Sequence, residues 1–287
     1  MDAEKRIVIF DTSAINALRD DHNQDSIVER LGMAFHVRIS GSNLVEVSGT
    51  SDSESRRRLL DLCERLLYFG ECIMPYDRII TEMARCNTRH KERFEWRDVD
   101  VRAPMIEEEI VERRLVMDDA IAEEVRLDSR GKNREFLDVF RDAREKFENA
   151  FDGEQMPSIT ELIRMDKADG GTFWRHAASQ YERANLFAIS DPEIRSFTNR
   201  CPPFHALTLV PCVAQFQYGL PVRKEKALYK AGRLDLFMAT YLPYCDLFVT
   251  REKEGQLNAL RVITTEVGLS TRVMSYSEFV QEVLTRM

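Results

Sequence analysis

Four acidic residues stand where a folded chain does not readily keep a carboxylate. Asp11 ends the apolar run Ile7-Val8-Ile9-Phe10 and is followed at once by two hydroxyls, Thr12 and Ser13. Glu46 lies inside the apolar string NLVEV, Asp235 opens the apolar stretch LDLFMATYL, and Glu252 follows the run DLFVT by two residues. A buried carboxylate is expensive to keep ionised unless something positive meets it. Convergence of the four would call for a divalent cation, and oxygen-only ligands suit Mg²⁺ or Mn²⁺ better than zinc. Each acid also has a plainer use. Asp11 and Asp235 can cap helices, Glu46 can be an exposed helix acid, and REKEG around Glu252 reads as a solvated turn.

Whether they converge depends on the elements that carry them. Ile7–Phe10 and the apolar part of DLFVT read as buried parallel strands, β-favouring and continuous. In an open α/β sheet, ligands bind beyond the carboxyl ends of such strands, where Asp11 and Glu252 both fall. Asp246 begins its strand and is expected at the opposite end.

Residues 1–75 read as strand, helix from Ser13, strand near FHVRIS and helix near GSNLVEVSGT. They continue with a helix in SESRRRLLDLCERLLYFG, capped by Asp52 or Ser53, and a short apolar segment ECIMP. Residues 76–204 change to charged-faced helical periodicity throughout, with Ser158 and Glu161 forming a capping box. Residues 205–287 return to α/β character. A helix in RLDLFMATYLPYC precedes the strand DLFVT, then come a third strand in TRVMSY and a last helix with Ser275 and Glu278 as its capping box. The expected architecture is one α/β domain built from both chain ends, with an all-helical insertion at 76–204.

The composition suits a helix-rich globular protein of 287 residues, 44% hydrophobic and 31% charged. No apolar stretch reaches the ~18 residues needed to span a bilayer. MDAEKR carries no positively charged start followed by an apolar core, so a cytoplasmic chain without membrane contact is expected. Six scattered cysteines form no CxxC and no Cys/His cluster, which leaves zinc ligation and redox catalysis without support. A net charge of −8 argues against a nucleic-acid partner, but −7 of it falls within residues 104–154, leaving the remainder nearly neutral and a local basic groove allowed.

With these residues in view, the chain resembles the PIN-domain nucleases, which include the toxins of toxin-antitoxin pairs. IVIFDTSAINAL, an isolated helical Glu further on, and RLDLFMATYLPYCDLFVTRE follow that family's order of acids. Asp11, Glu46 and Asp235 fill the first three acidic positions, and Glu252 stands where the family has Asp. The resemblance covers about residues 1–75 and 205–287, and implies a PIN-like three-layer fold with a central parallel sheet flanked by helices. It further implies a metal-dependent nuclease, with RNA ahead of DNA as substrate. Asp11, Glu46, Asp235 and Glu252 would hold Mg²⁺ or Mn²⁺, and Thr12 or Ser13 would orient a water or a phosphate oxygen. A homodimer and an inhibitory protein partner are compatible with it. The alternative is a non-catalytic PIN-like nucleic-acid or protein-binding module with a degenerate metal site.

Basic residues stand close by. PVRKEKALYKAGR places Arg223, Lys224, Lys226, Lys230 and Arg233 just before Asp235, suited to tracking a phosphate backbone as well as to an ordinary solvated face. TRHKERFEWR interleaves bases with Phe94 and Trp96, which can stack on nucleobases but more commonly pack in a core. The five histidines have no spacing that suggests a ligand pair or a triad.

Overall fold

Alternation of side chains along β1 (Arg6–Phe10) fixes how the molecule is layered. Val8 and Phe10 are buried on one face of the sheet and Ile9 on the other. Leu247 and Val249 of a later strand repeat the pattern opposite Phe248, as the period of two requires. The computed structural model describes residues 5–111, 119–150, 158–168, 172–185, 188–219, 233–251 and 254–285.

After β1 the chain runs through α1 (Thr12–Asp20), α2 (Gln24–Ala34), β2 (Phe35–Ser40), α3 (Gly41–Ser48), α4 (Ser53–Leu67) and β3 (Gly70–Ile73). The helical stretch follows as α5 (Tyr76–Arg89), α6 (Pro104–Val111), α7 (Asp119–Ala150), α8 (Ile159–Lys167), α9 (Thr172–Asn185) and α10 (Asp191–Arg200). Then come α11 (Pro202–Gly219), α12 (Arg233–Phe237), β4 (Leu247–Thr250), α13 (Glu254–Val267), β5 (Arg272–Ser275) and α14 (Tyr276–Thr285).

The five strands form one parallel sheet in the order β3-β2-β1-β4-β5. Successive crossovers move outward to one side from β1 and to the other side from β4. The boundary between β1 and β4 is therefore the switch point, at whose carboxyl end a crevice opens. Helices cover both faces. One face packs α1, α2, α4 and α14 against Val8, Phe10, Val37 and Val249. The other packs α5, α9, α10, α11 and α13 against Ile9, Ile73, Phe248 and Val273. The second core runs unbroken from the sheet into the helical stretch, through Ile163, Phe173, Tyr181 and Phe197.

Two expectations need correction. RLDLFMATYLPYC is not one α-helix: α12 ends at Phe237 and Met238–Tyr244 wind as a 3₁₀ helix. Pro243 lacks an N–H and crowds the residue before it, which favours the tighter winding near its end. Nor is residues 76–204 helical throughout. Arg102 forms an antiparallel bridge to Ile73, with Met74 N–H donating to Val101 O at 2.8 Å and Ala103 N–H to Cys72 O at 2.8 Å. This extended piece covers the outer edge of β3, the kind of exposed strand edge that proteins protect.

Asp246 lies at the opposite edge from Asp11, where its carboxylate accepts the Ile7 N–H at 2.7 Å. No helix among the described residues is long and apolar enough to cross a membrane.

Candidate functional site

Asp11 follows β1 directly and its N–H donates to Val249 O of β4 at 2.9 Å, which pins it to the switch point. The side chain is 3% exposed and also serves as the N-cap of α1, its Oδ1 accepting the Ala14 N–H at 2.7 Å. The capping reading of Asp11 therefore holds, and the cap engages Oδ1 alone. Oδ1 also accepts the Ser13 hydroxyl at 2.8 Å, while Ser13 Oγ accepts the Arg251 N–H at 2.9 Å. Burial nevertheless pushes the Asp11 carboxyl up to about 7, against the lowering effect of Thr250, Ala14 and Ser13, and the nearby charge of Asp235 adds to the rise.

Glu46 is carried by α3, whose start is fixed by a capping box between Ser40 and Asn43. Asn43 lies one turn before Glu46, and its Nδ2 donates to Thr12 Oγ1 at 3.1 Å. The Thr12 hydroxyl in turn donates to Glu46 Oε2. Burial raises the Glu46 carboxyl to about 7; Thr12 pulls it down, the charges of Asp235 and Asp11 push it up, and Arg233 lowers it.

Asp235 lies on α12, its third residue, rather than at the helix cap. Its charge acts on both Asp11 and Glu46, so the three acids share one neighbourhood although their elements are far apart in sequence. Gln256 on α13, fully buried, ties the group together. Its Nε2 donates to Asp235 O at 3.2 Å and lies 3.5 Å from Asp11 Oδ2, while its Oε1 accepts the Thr250 hydroxyl at 3.2 Å.

Glu252, Arg223, Lys224 and Lys230 lie outside the described residues. Arg233 is described: its N–H donates to Asn133 Oδ1 at 2.9 Å and its Nη1 to the Tyr76 hydroxyl at 3.0 Å. Thr12 and Ser13 turn their hydroxyls to Glu46 and Asp11 rather than to open solvent. Phe94 packs against Phe197 and Trp96 edge-on to Tyr244, so the 88–97 aromatics serve the core.

Glu46 and Asp235 open onto a pocket of about 190 Å³ whose described lining also includes Arg233, Leu234, and Ser129, Arg130 and Asn133 of α7. Among the described residues, a larger cleft of about 660 Å³ beside β5 contains none of Asp11, Glu46 and Asp235. Gln256 and the α7 residues escape a reading of the sequence. Gln256 follows the charged REKEG turn with no apolar context to mark it, and Arg130 sits among charges in a helix whose packing partner the sequence does not name.

As a cation site, the group fits in donor type and charge. Asp11 is buried and Glu46 half-buried, both are raised to about 7 by desolvation and by neighbouring carboxylate charge that a dication would offset, and every donor is an oxygen. Among the described residues, however, no three His, Cys, Asp or Glu side chains are arranged to hold a metal ion. Thr12 instead occupies one oxygen of Glu46. No protein-family model, curated protein or solved structure matches the chain.

Proposed function

We propose that this chain is a metal-dependent nuclease with a PIN-like core, hydrolysing phosphodiester bonds in single-stranded or structured RNA in preference to DNA. The supporting observation is the electrostatic coupling of Asp11, Glu46 and Asp235 at the carboxyl edge of one parallel sheet. Asp11, Glu46 and Asp235, with Glu252 as a fourth acid, would hold Mg²⁺ or Mn²⁺. When bound, such an ion supplies charge neutralisation at the phosphate and a water of lowered pKa. The chain's own part is positioning. Ser13 and the Ala14 N–H fix Asp11, Asn43 fixes Thr12 against Glu46, and Gln256 couples Asp11 to the backbone at Asp235.

The test is incubation with labelled single-stranded RNA and DNA in Mn²⁺, repeated with chelator and with Asp11→Asn. Cleavage that needs metal and vanishes in the variant is expected. Metal-dependent cleavage unchanged by Asp11→Asn overturns the assignment.

A second reading, a PIN-like binding module without catalysis, is favoured by the lack of a ready three-ligand cluster among the described residues. Titration with Mn²⁺ separates the two. Nucleic-acid binding without metal uptake supports the module, whereas uptake weakened by Asp235→Asn supports the nuclease.

A further inference from the structure

The helical stretch at 76–204 is more than a decoration on the sheet, because α7 reaches the acids. Ser129, Arg130 and Asn133 lie on successive turns of α7 and line the pocket that Glu46 and Asp235 open onto. Residues at i, i+1 and i+4 share one side of a helix, so a single edge of α7 faces the pocket. Asn133 Oδ1 accepts the Arg233 N–H at 2.9 Å, joining α7 to the start of α12. Arg233 is held on its other side by Tyr76, and its charge acts on Glu46 at the pocket. Arg130 is exposed on the same lining, and two guanidiniums at one pocket suit an anion.

Volume narrows what that anion is. About 190 Å³ is below the range of ~300–1,000 Å³ usual for small-molecule sites. It holds on the order of six waters, room for a phosphate group, and its described lining carries no aromatic side chain on which a base could stack.

We infer that Arg130 and Arg233, braced by Asn133, form the phosphate-binding wall of this pocket, and that α7 thereby seats the backbone of a nucleic-acid strand with its bases left outside. This deepens the nuclease reading and rests on its premise that a phosphodiester enters the pocket. Two guanidiniums offset the carboxylates that would otherwise repel the strand, and recognition confined to the phosphate makes binding indifferent to base sequence.

The experiment measures binding rather than turnover. Fluorescence anisotropy of a short labelled oligouridylate is recorded in chelator across a salt series for the full chain, Arg130→Gln, Asn133→Ala and Arg134→Gln. Arg134 is an exposed neighbour on α7 outside the pocket lining, so it controls for loss of charge alone. Loss of one phosphate contact is expected to weaken binding about fivefold and to reduce the slope of log K against log salt by about 0.7 for Arg130→Gln. Asn133→Ala is expected to weaken binding about threefold, and Arg134→Gln to stay within about twofold of the parent. Equal effects of Arg130→Gln and Arg134→Gln, or no binding by the parent chain, overturn the inference. A chain that binds through Arg130 but never cleaves in Mn²⁺ removes the nuclease and leaves the wall standing. Asp11-dependent cleavage with Arg130-independent binding removes the wall alone.

Discussion

The hydroxyl of Ser13 donates to Asp11 Oδ1 at 2.8 Å, and the same oxygen of Ser13 accepts the Arg251 N–H at 2.9 Å. Ser13 therefore relays the backbone polarity at the end of β4 into the carboxyl group at the end of β1. Ser13→Ala removes a hydrogen bond whose strength depends on the charge of Asp11. The expected loss of stability is about 1.5–3 kcal/mol where Asp11 is ionised and nearer 1 kcal/mol where it is protonated. Urea unfolding on either side of pH 7 checks this: a penalty that is the same at both pH values contradicts the relay.

Asp11 and Glu46 are both raised to about 7, from ordinary values of 3.8 and 4.5. Below about pH 4 folded and unfolded chains both hold these protons, and the contribution is fully present. As pH rises the unfolded chain releases them first, so folding is progressively disfavoured until the folded pKa is passed. The melting temperature of the metal-free chain should fall between about pH 4 and pH 7, and Asp11→Asn should flatten part of that fall. Parallel melting profiles for the two proteins would contradict this assignment of the buried charge.

Gln256 is fully buried and serves Thr250, Asp11 and the carbonyl of Asp235 at once. Gln256→Leu keeps the bulk and strands those partners in a dry site. A loss of about 1–3 kcal/mol is expected, read as a lower urea midpoint with an unchanged slope.

Gly70 opens β3 where the strand crosses closest to β2. A Cβ built there lies 1.6 Å from Val37 O, so even alanine forces the two strands apart. Gly70→Ala is expected to destabilise by at least about 1–3 kcal/mol in equilibrium unfolding. A neutral result would mean that the β2–β3 pairing is looser than this contact implies.

Four strands were legible, three as compact apolar runs and FHVRIS by its alternation, whereas β3, overlapping ECIMP, was read only as a short apolar segment. Capping chemistry was equally local, so Asp52, Ser158 and Ser275 take their expected partners. Asp246 could be set aside because it precedes its strand. The order of the sheet was not legible, since it depends on which way each crossover turns. The approach of α7 was hidden for a similar reason: a charged helix shows its solvent face, and the few residues it turns inward carry no periodic signal. The reach of Asp235 depended on how the short α12 packs, which its sequence does not show.

The central strand and the neighbour that completes its hydrogen bonding lie far apart along the chain; Ile7 and Asp246 bond across 239 positions. A truncated product lacking β4 would carry Asp11 as an ordinary hydrated acid, with neither Gln256 nor Asp235 to enclose it. Contacts of such long sequence separation form late and slowly. The winding order of the sheet thus makes the enclosure of Asp11 depend on a glutamine 245 positions away along the chain.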